Sequence, residues 1–544
     1  MKNNNREGDF VNPSAEKLKR SNERKPVLPD VFTLVRLALS IILLVLAYNI
    51  NTTQFISMLM LVAAIMICGF DIVIYAIYAV LRKDFFNNSC LIMLAAVSGF
   101  AVGCYIEATV FVVVYQACRV FFEYAQKLTK QSALSSLPNS SEESFSRQRS
   151  MLNRCDSSAN VLRVKLEPYY SIAVRVLTGA AIFCSILLPL VTDMTYVMSI
   201  RRGTMLIAAI APCSMFTSLS LCTAYGLCHS AASGVIVDEP ETLDKAVKLK
   251  SIVFDKSDVI TAGAPKIASI ISPVLDNESF LRSAAYIAYK SEQRIASAIV
   301  GAYNGDIFPE YIQEFNDIPG YGMEVKIEGR QMLLGTLQLL ESRGICLDAG
   351  SVRKGNVLYL IISGRYAGSI VFNENINPYA AKTVSILKEL GVASILVAED
   401  GMDVCEKTAK SINISDFFPC CDTAKKLSVV KDIKQSQNGE EALMYVSAEN
   451  IGYHSYADLD AKVGERTDTE DLRMSNIGIY GLPTMVSIAR RVKKISCENI
   501  ALSAIVKVIL IILALTGNAT LWFVALLDFS AGIFGVLNVS RISK

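Results

Sequence analysis

Long apolar runs constrain this chain more than any other feature of its sequence. They fall at about residues 32–50, 54–81, 89–104, 105–125, 169–191, 203–230, 499–516 and 519–540. A helix of ~20 apolar residues crosses the ~30 Å hydrocarbon core of a bilayer, and most of these runs approach that length. We therefore predict eight membrane spans, or seven if the third and fourth runs, whose boundary Gly99 and Gly103 blur, form one segment.

The composition agrees with a membrane protein that also carries a soluble region. Apolar residues make up 52% of the 544 positions and charged residues only 19%, which is below the usual share of a soluble protein. The net charge of +2 gives no indication of nucleic acid as a partner. The fourteen cysteines are scattered without any CxxC pair, a pattern that favours free thiols over a disulfide framework.

Basic residues predict the orientation of the spans. Seven lysines and arginines precede the first apolar run: Lys2, Arg6, Lys17, Lys19, Arg20, Arg24 and Lys25. Because positive charge is retained on the cytoplasmic side, they indicate a cytoplasmic N-terminus, and an even number of spans returns the C-terminus to that side. We expect a multi-pass protein of the cell membrane, in contact with lipid, with residues 126–168 and 231–495 in the cytoplasm.

The segment 231–495 alternates strand-like and helix-like stretches, which predicts an α/β domain with a parallel sheet. Examples are the strands 251–254 and 393–397 and the helix 378–390. Short strands around Pro319–Gly322 suggest a smaller α+β domain inserted into it. The predicted organisation is a basic tail at 1–30, spans at 31–125, a linker at 126–168, spans at 169–230, an α/β domain at 231–269 and 366–495, an insertion at 270–365, and spans at 496–544.

One short motif follows the first buried strand of that domain. Ile252-Val253-Phe254 leads into Asp255-Lys256-Ser257, and this stretch resembles the phosphorylation motif DKTGTLT of P-type ATPases. A hydrophobic strand that ends in Asp-Lys is common, so the motif is weak evidence when it stands alone. Catalytic side chains in such folds lie at the carboxyl ends of strands, which is where Asp255 is expected.

Further weak matches occur in the order and spacing of the same family. Ala211-Pro212-Cys213 interrupts a span and resembles CPC, Gly320 and Gly322 form a Gly-x-Gly, Glu374–Pro378 resembles DxxRP, Ala398–Asp400 occupies the place of TGD, and Asp422-x-x-Lys425 that of PxxK. Asn499, Lys507, Asp528 and Asn538 in the last two spans resemble the zinc/cadmium/lead-exporting branch. The chain is thereby identified as a member of the heavy-metal-transporting P-type ATPase family, with a HAD-like phosphorylation domain and a nucleotide-binding-like insertion.

The resemblance implies a role for each matching residue. Asp255 accepts the γ-phosphoryl group of ATP with Mg²⁺ as cofactor, Lys256 and Ser257 complete its motif, Asp400 belongs to the TGD position, and Lys425 neutralises the transferring group. Gly320 and Gly322 are assigned to nucleotide binding, although a plain turn explains a Gly-x-Gly equally simply.

In the membrane, the resemblance implies that Cys213, Lys507 and Asp528 serve a divalent metal ion. A thiolate and a carboxylate suit a borderline-soft ion such as Zn²⁺. Two simpler interpretations remain open: Lys507 and Asp528 form an ion pair that needs no metal, and Cys213 is an inert apolar thiol.

Several family features are missing, and their absence argues against the family's ATP-driven activity. Val446–Ile451 stands where GDGxND would hold Mg²⁺ and lacks both aspartates, and Asp258 replaces a glycine beside Asp255. SEHP becomes Ser291–Arg294, and Ala288 replaces a glutamate that helps bind the base. The serine-rich linker 126–168 is too short for the actuator domain, and the chain contains no Thr-Gly-Glu.

These departures leave three functions open. The first is a pseudo-ATPase that keeps the fold and a metal pocket, acting as a scaffold, a sensor or the partner of an unidentified protein. The second is a working metal exporter with an atypical cycle or a separate actuator subunit. The third is a slow phosphatase or a passive metal-binding channel.

Overall fold

The computed structural model has two compact units, one built from the apolar segments and one from the α/β segment. It describes residues 31–49, 54–136, 160–211, 216–237, 239–262, 265–291, 293–318, 321–345, 347, 356–373, 375–448, 456–464, 471–474 and 478–543.

The apolar segments form helices at all eight expected positions. They are α1 (Val31–Asn49), α2 (Gln54–Cys68), α3 (Phe70–Leu81), α4 (Asn88–Ala101), α5 (Tyr105–Ser136), α6 (Val161–Val191), α7 (Tyr196–Ile210), α8 (Thr217–Ala232), α16 (Leu482–Thr516) and α17 (Leu521–Val539). In the described part of the chain, five helices are long and apolar enough to cross a membrane, or six if α2 and α3, bent by 72°, count as one span. The chain is a multi-pass membrane protein.

Two of the expected spans are not single helices long enough to cross a membrane. The fourteen-residue α4 is apolar but shorter than a bilayer-crossing helix. The expected span 203–230 is divided into α7 and α8, because regular helix ends at Ile210 and resumes at Thr217. Proline at position 212 removes a backbone donor that a continuous helix would need.

The α/β segment contains a seven-stranded sheet in the order β1-β13-β12-β11-β2-β9-β10. Its strands are β1 (Val235–Val237), β2 (Leu249–Asp255), β9 (Ala393–Val397), β10 (Asp416–Phe418), β11 (Ala442–Ser447), β12 (Leu459–Val463) and β13 (Leu472–Met474). All neighbours are parallel except β1 and β13. The helices of this domain are α9 (Pro240–Val247), α13 (Ala380–Glu389), α14 (Met402–Ser411) and α15 (Thr423–Ser436).

The central strand β2 lies between β11 and β9, and its residues Ile252, Val253 and Phe254 are completely buried. Strands buried on both faces are typical of parallel sheets, whose faces are covered by helices. The pairing register sets Phe254 beside Val446 and Asp255 beside Val397, so the polar residues that follow these strands meet at one edge.

A second, antiparallel sheet has the order β3-β8-β7-β6-β5-β4. It consists of β3 (Lys266–Ile271), β4 (Ile312–Ile318), β5 (Gly322–Ile327), β6 (Arg330–Gly335), β7 (Asn356–Ile362) and β8 (Arg365–Asn373), with helices α10 (Asn277–Ala288), α11 (Arg294–Ala302) and α12 (Leu337–Ser342). Since Lys266 pairs with Asn373, the insertion occupies 266–373, a few residues more at each end than the expected 270–365.

Candidate functional site

Asp255 is the last residue of β2 and one of the most deeply buried carboxylates described, with 1% of its surface exposed. Its Oδ1 accepts a hydrogen bond from the Ser257 amide at 3.3 Å, and its Oδ2 accepts one from the Tyr445 hydroxyl at 3.4 Å. Asp258 adopts φ +58°, a left-handed backbone conformation that favours glycine. The turn after Asp255 therefore has the backbone conformation expected for the family's glycine, although the residue here is an aspartate.

The lysine beside Asp255 is Lys426, which corrects the assignment of Lys425. Lys426 Nζ lies 2.8 Å from Asp255 Oδ2, whereas Lys425 Nζ donates to the Cys420 carbonyl at 3.2 Å. Both lysines follow the start of α15, which Asp422 caps by accepting from the Lys425 amide at 2.8 Å. Successive helical residues point about 100° apart, so only one of the two can face the sheet.

Two further carboxylates complete the charged cluster. Lys426 Nζ also donates to Glu399 Oε1 at 3.0 Å, so Asp255 and Glu399 share one ammonium group. Beside them, Lys256 Nζ lies 2.7 Å from Asp400 Oδ2, and Lys256 is 3% exposed. The structure thus brings Asp255, Lys256 and Asp400 to the same edge of the sheet.

Burial and pairing have opposite effects on the two central groups. Burial raises the pKa of Asp255, and the Lys426 ammonium only partly offsets that effect. Burial by itself lowers the pKa of Lys426, but Asp255 and then Glu399 raise it more, and the net shift is upward. Lys426 is therefore a fixed positive charge at neutral pH.

The described residues around Asp255 do not fit a magnesium ion. Mg²⁺ needs oxygen ligands in near-octahedral arrangement, usually including carboxylates. The carboxylates of Asp255, Glu399 and Asp400 are each bonded to a lysine, and β11, the neighbour of β2, ends in Ser447 followed by Ala448. Within the described ranges no group of three His, Cys, Asp or Glu side chains is arranged to hold a metal. Glu449 and Asn450 lie outside these ranges.

A cleft of about 710 Å³ borders this cluster, a volume in the usual range for a small-molecule site. Its lining includes Lys256, Ser257 and Asp400 of the α/β domain and Gln293 and Gly322 of the insertion. Gln293, which stands where the family has a histidine, and Ser291 both hydrogen-bond Asp317, and the Ser291 hydroxyl does so at 2.7 Å. Gly320 lies outside the described residues, as does Glu374 of the DxxRP-like stretch.

Gly322 has a demonstrable structural reason to be glycine. Its φ is +150°, and an added Cβ would lie 2.3 Å from the Leu334 carbonyl oxygen and 2.5 Å from Gly335 Cα. These are backbone atoms of the paired strand β6, which cannot move aside as a flexible side chain could. Close strand pairing therefore accounts for this glycine without a nucleotide.

We expect Gly322→Ala to lower the stability of the inserted sheet by about 3 kcal/mol, because strain and backbone overlap add. The measurement is hydrogen–deuterium exchange of the β5 and β6 amides in the full chain. Gly329→Ala is the control, since Gly329 has φ +78° but no atom within 4 Å of an added Cβ, and about 1 kcal/mol is expected there. Equal loss of protection in both variants would contradict the packing argument.

In the membrane unit, Lys507 and Asp528 form a buried ion pair. Lys507 Nζ lies 2.9 Å from Asp528 Oδ1, and the two residues are 8% and 4% exposed. Lys507 Nζ also donates to the Ala211 carbonyl at 2.6 Å, and the Tyr170 hydroxyl donates to the Ile210 carbonyl at 2.7 Å. Where α7 ends, side chains thus bind the carbonyls that a continuous helix would have used.

The other membrane residues singled out by the sequence fall into two groups. Asn499 and Asn538 lie close together, since Asn538 Nδ2 donates to Asn499 Oδ1 at 2.9 Å, and Asn499 Nδ2 donates to the Gly535 carbonyl at 3.1 Å. Cys213 and Pro212 lie outside the described residues, so the structure does not relate Cys213 to the ion pair.

Lys426, Tyr445 and the contact of Glu399 were not predicted from the sequence. A signal for Lys426 was present: Lys426, Val429, Val430 and Ile433 recur at helical spacing, and this is the face of α15 that packs on the sheet. Lys425 falls outside that face. Tyr445 and Glu399 gave no such signal, because their role depends on pairing across the sheet.

Comparison with known proteins places this geometry in context. Residues 249–444 match the haloacid dehalogenase-like hydrolase family model. A cadmium, zinc and cobalt-transporting ATPase of Bacillus subtilis is 24% identical over 391 residues, covering 70% of this chain and 55% of the relative. A zinc-transporting ATPase of Synechocystis sp. is 25% identical over 354 residues, covering 63% of this chain and 49% of the relative. The chain spans about half the length of these relatives.

The fold as a whole also has a counterpart among solved structures. A crystal structure of a zinc-transporting PIB-type ATPase in the E2.Pi state superposes with a TM-score of 0.63, covering 95% of this chain and all of that one, at 16% identity. At that identity the match shows the fold: an α-helical membrane part with a HAD-like α/β domain.

Proposed function

Because the chain belongs to the heavy-metal-transporting P-type ATPase family, we propose that it is a metal-cation transporter homologue that cannot complete an ATP-driven cycle. It is a pseudo-ATPase that retains the membrane and α/β folds. The carrying observation is the cluster at Asp255, where the carboxylates of Asp255, Glu399 and Asp400 are each bonded to a lysine and the adjacent strand β11 ends in Ser447, followed by Ala448. ATP and Mg²⁺, the family's cofactors, lack the partners they need there.

The missing water-directing module supports the same conclusion. The sequence passes from α5 to α6 through a connection at 137–160, and no Thr-Gly-Glu occurs anywhere in the chain. An aspartyl phosphate formed at Asp255 would therefore lack the Thr-Gly-Glu loop with which the family presents water to it. Phosphoryl transfer depends on positioning and charge neutralisation, and both are reduced here.

The transported cation is proposed to bind in the membrane unit. Asp528 and Cys213 are the proposed contacts for a divalent ion such as Zn²⁺, with Lys507 as the counter-charge of Asp528 when no metal is bound. The Lys507–Asp528 distance of 2.9 Å supports the second role. The basic N-terminal residues support a cytoplasmic N-terminus, and an even number of spans would place the C-terminus on the same side.

Turnover in proteoliposomes tests the proposal. Purified full-length chain is given ATP, Mg²⁺ and Zn²⁺, and phosphate release is compared with that of Asp255→Asn. We expect the two rates to be equal, because the sequence lacks the GDGxND aspartates that hold Mg²⁺ in the family and the Thr-Gly-Glu loop that clears the phosphoenzyme. Zn²⁺-stimulated release that depends on Asp255 would instead establish the competing function, a working exporter with an atypical cycle, which the preserved Asp255–Lys426 contact favours.

A further inference from the structure

The ammonium group of Lys426 has two anionic neighbours of very different accessibility. Asp255 Oδ2 lies at 2.8 Å and Glu399 Oε1 at 3.0 Å from Lys426 Nζ. The side chains of Lys426 and Asp255 are each 1% exposed, whereas that of Glu399 is 49% exposed. One neighbour is therefore part of the interior and the other faces solvent.

Glu399 also forms part of the cleft wall. It follows β9 and lines the cleft together with Lys256, Ser257 and Asp400. Lys426 is not among the cleft-lining residues and is 1% exposed, whereas Glu399, in contact with its ammonium, does line the cleft. An anion that enters the cleft meets a negative oxygen before it can reach the positive charge.

A carboxylate on a lysine resembles a phosphoryl oxygen on a lysine. Both are charge-assisted contacts of about 2.7–2.9 Å in which the ammonium acts as a point charge. With two carboxylates on one ammonium, the charge of Lys426 is already more than neutralised. A phosphate would have to displace Glu399 and would still meet the repulsion of its charge.

The neighbouring Lys256–Asp400 ion pair does not offer a positive charge to a phosphate either. Lys256, a cation that lines the cleft, has its ammonium 2.7 Å from the Asp400 carboxylate. Glu399, Asp400 and Asp403 line the cleft as well, so the charged groups among its described lining residues sum to an excess of negative charge. An added anion finds no cation there that lacks a carboxylate partner among the described side chains.

We propose that Glu399 is an internal anion that occupies the phosphate-binding position of Lys426 and excludes free phosphate and phosphoryl groups from Asp255. This deepens the proposed function and rests on it in one respect, since it treats Asp255 as a former phosphoryl acceptor. The side chain at position 399 then determines whether the site at Lys426 binds an oxyanion.

The test measures anion binding without nucleotide. Full-length protein in detergent is titrated with orthovanadate, and with labelled inorganic phosphate by equilibrium dialysis. Glu399→Gln removes one charge at constant size and should raise the affinity about tenfold, because a half-exposed carboxylate is a partly screened charge. Glu389→Gln is the matched control, an exposed glutamate at the end of α13, and should bind like the parent.

A double variant shows whether the gain depends on Lys426. Glu399→Gln/Lys426→Met should lose the added affinity, since the cation that receives the anion is gone. Glu399→Gly, which removes the whole side chain, is the second single variant in case the glutamine variant misfolds. Unchanged affinity in the folded single variants, or a gain that survives loss of Lys426, overturns the proposal. Because ATP is not used, this outcome is independent of whether Asp255 is phosphorylated.

Discussion

Lys426→Met is expected to lower the free energy of unfolding of the α/β domain by about 3–5 kcal/mol, the usual cost of breaking a buried ion pair from one side. The variant leaves Asp255, 1% exposed, without the ammonium that lies 2.8 Å away. The measurement is hydrogen–deuterium exchange of the β2 and β11 amides in the full chain.

The adjacent lysine provides the control. Lys425→Met removes a side chain that only bonds the exposed Cys420 carbonyl, and a change within about 0.5 kcal/mol is expected. Asp255→Asn/Lys426→Met should recover part of the loss, since it removes the buried charge as well. Equal losses in the two single variants would show that Lys426 is not the lysine on which Asp255 depends.

The loss should also depend on pH in a known direction. Burial already raises the pKa of Asp255, and removal of Lys426 raises it further. A carboxyl whose pKa is higher in the folded than in the unfolded state binds the extra proton when folded, so stability falls as pH rises from the unfolded value toward the folded one. The defect of Lys426→Met should therefore be larger at pH 7 than at pH 5.

Lys507→Met is the second large prediction, with an expected loss of about 3–5 kcal/mol in the membrane unit. Asp528, 4% exposed, loses the partner at 2.9 Å, and the Ala211 carbonyl loses its donor at 2.6 Å. Charges inside a bilayer are tolerated mainly when they are paired. The measurement is the rate of thermal unfolding in detergent, monitored by the accessibility of the buried cysteines to a thiol-labelling reagent.

Lys507→Met/Asp528→Leu is the matched variant. Replacing both members of a buried pair by apolar residues of similar size is often neutral or stabilising, so most of the loss should be recovered. The zinc content after mild purification should fall in Asp528→Ala if the carboxylate also contacts a cation. A double variant as unstable as Lys507→Met would mean that the loss arises from packing rather than from charge.

The sequence predicted the elements that depend on local pattern. The run 251–254 lies within β2, the run 393–397 coincides with β9, and the helix expected at 378–390 is α13, Ala380–Glu389. Each prediction rests on a short apolar run of β-branched residues or on helical spacing, which the chain carries in itself. The edges of the insertion were predicted several residues inside the observed ones, because β3 and β8 are recognised as its first and last strands only through their antiparallel pairing.

The contacts at Asp255 depend on residues far apart in the chain. Asp255 and Lys426 are separated by 171 positions and Lys256 and Asp400 by 144. Motif spacing brings such residues to the same sheet edge, but it does not decide which of two adjacent lysines faces inward. That choice depends on the phase of α15 against the sheet. The Glu399 contact follows from the same phase and has no local sequence signature.

An assay for an acid-stable phosphoenzyme tests most directly whether Asp255 still accepts a phosphoryl group. Purified protein is incubated briefly with γ-labelled ATP, Mg²⁺ and Zn²⁺, quenched in acid and compared with Asp255→Asn for label retained on the chain. We predict equal background labelling in both, because the carboxylates of Asp255, Glu399 and Asp400 are paired with lysines and the two aspartates of the family's GDGxND motif are absent from the sequence. Label that appears in the parent and vanishes in Asp255→Asn would contradict the claim that this carboxylate no longer accepts a phosphoryl group.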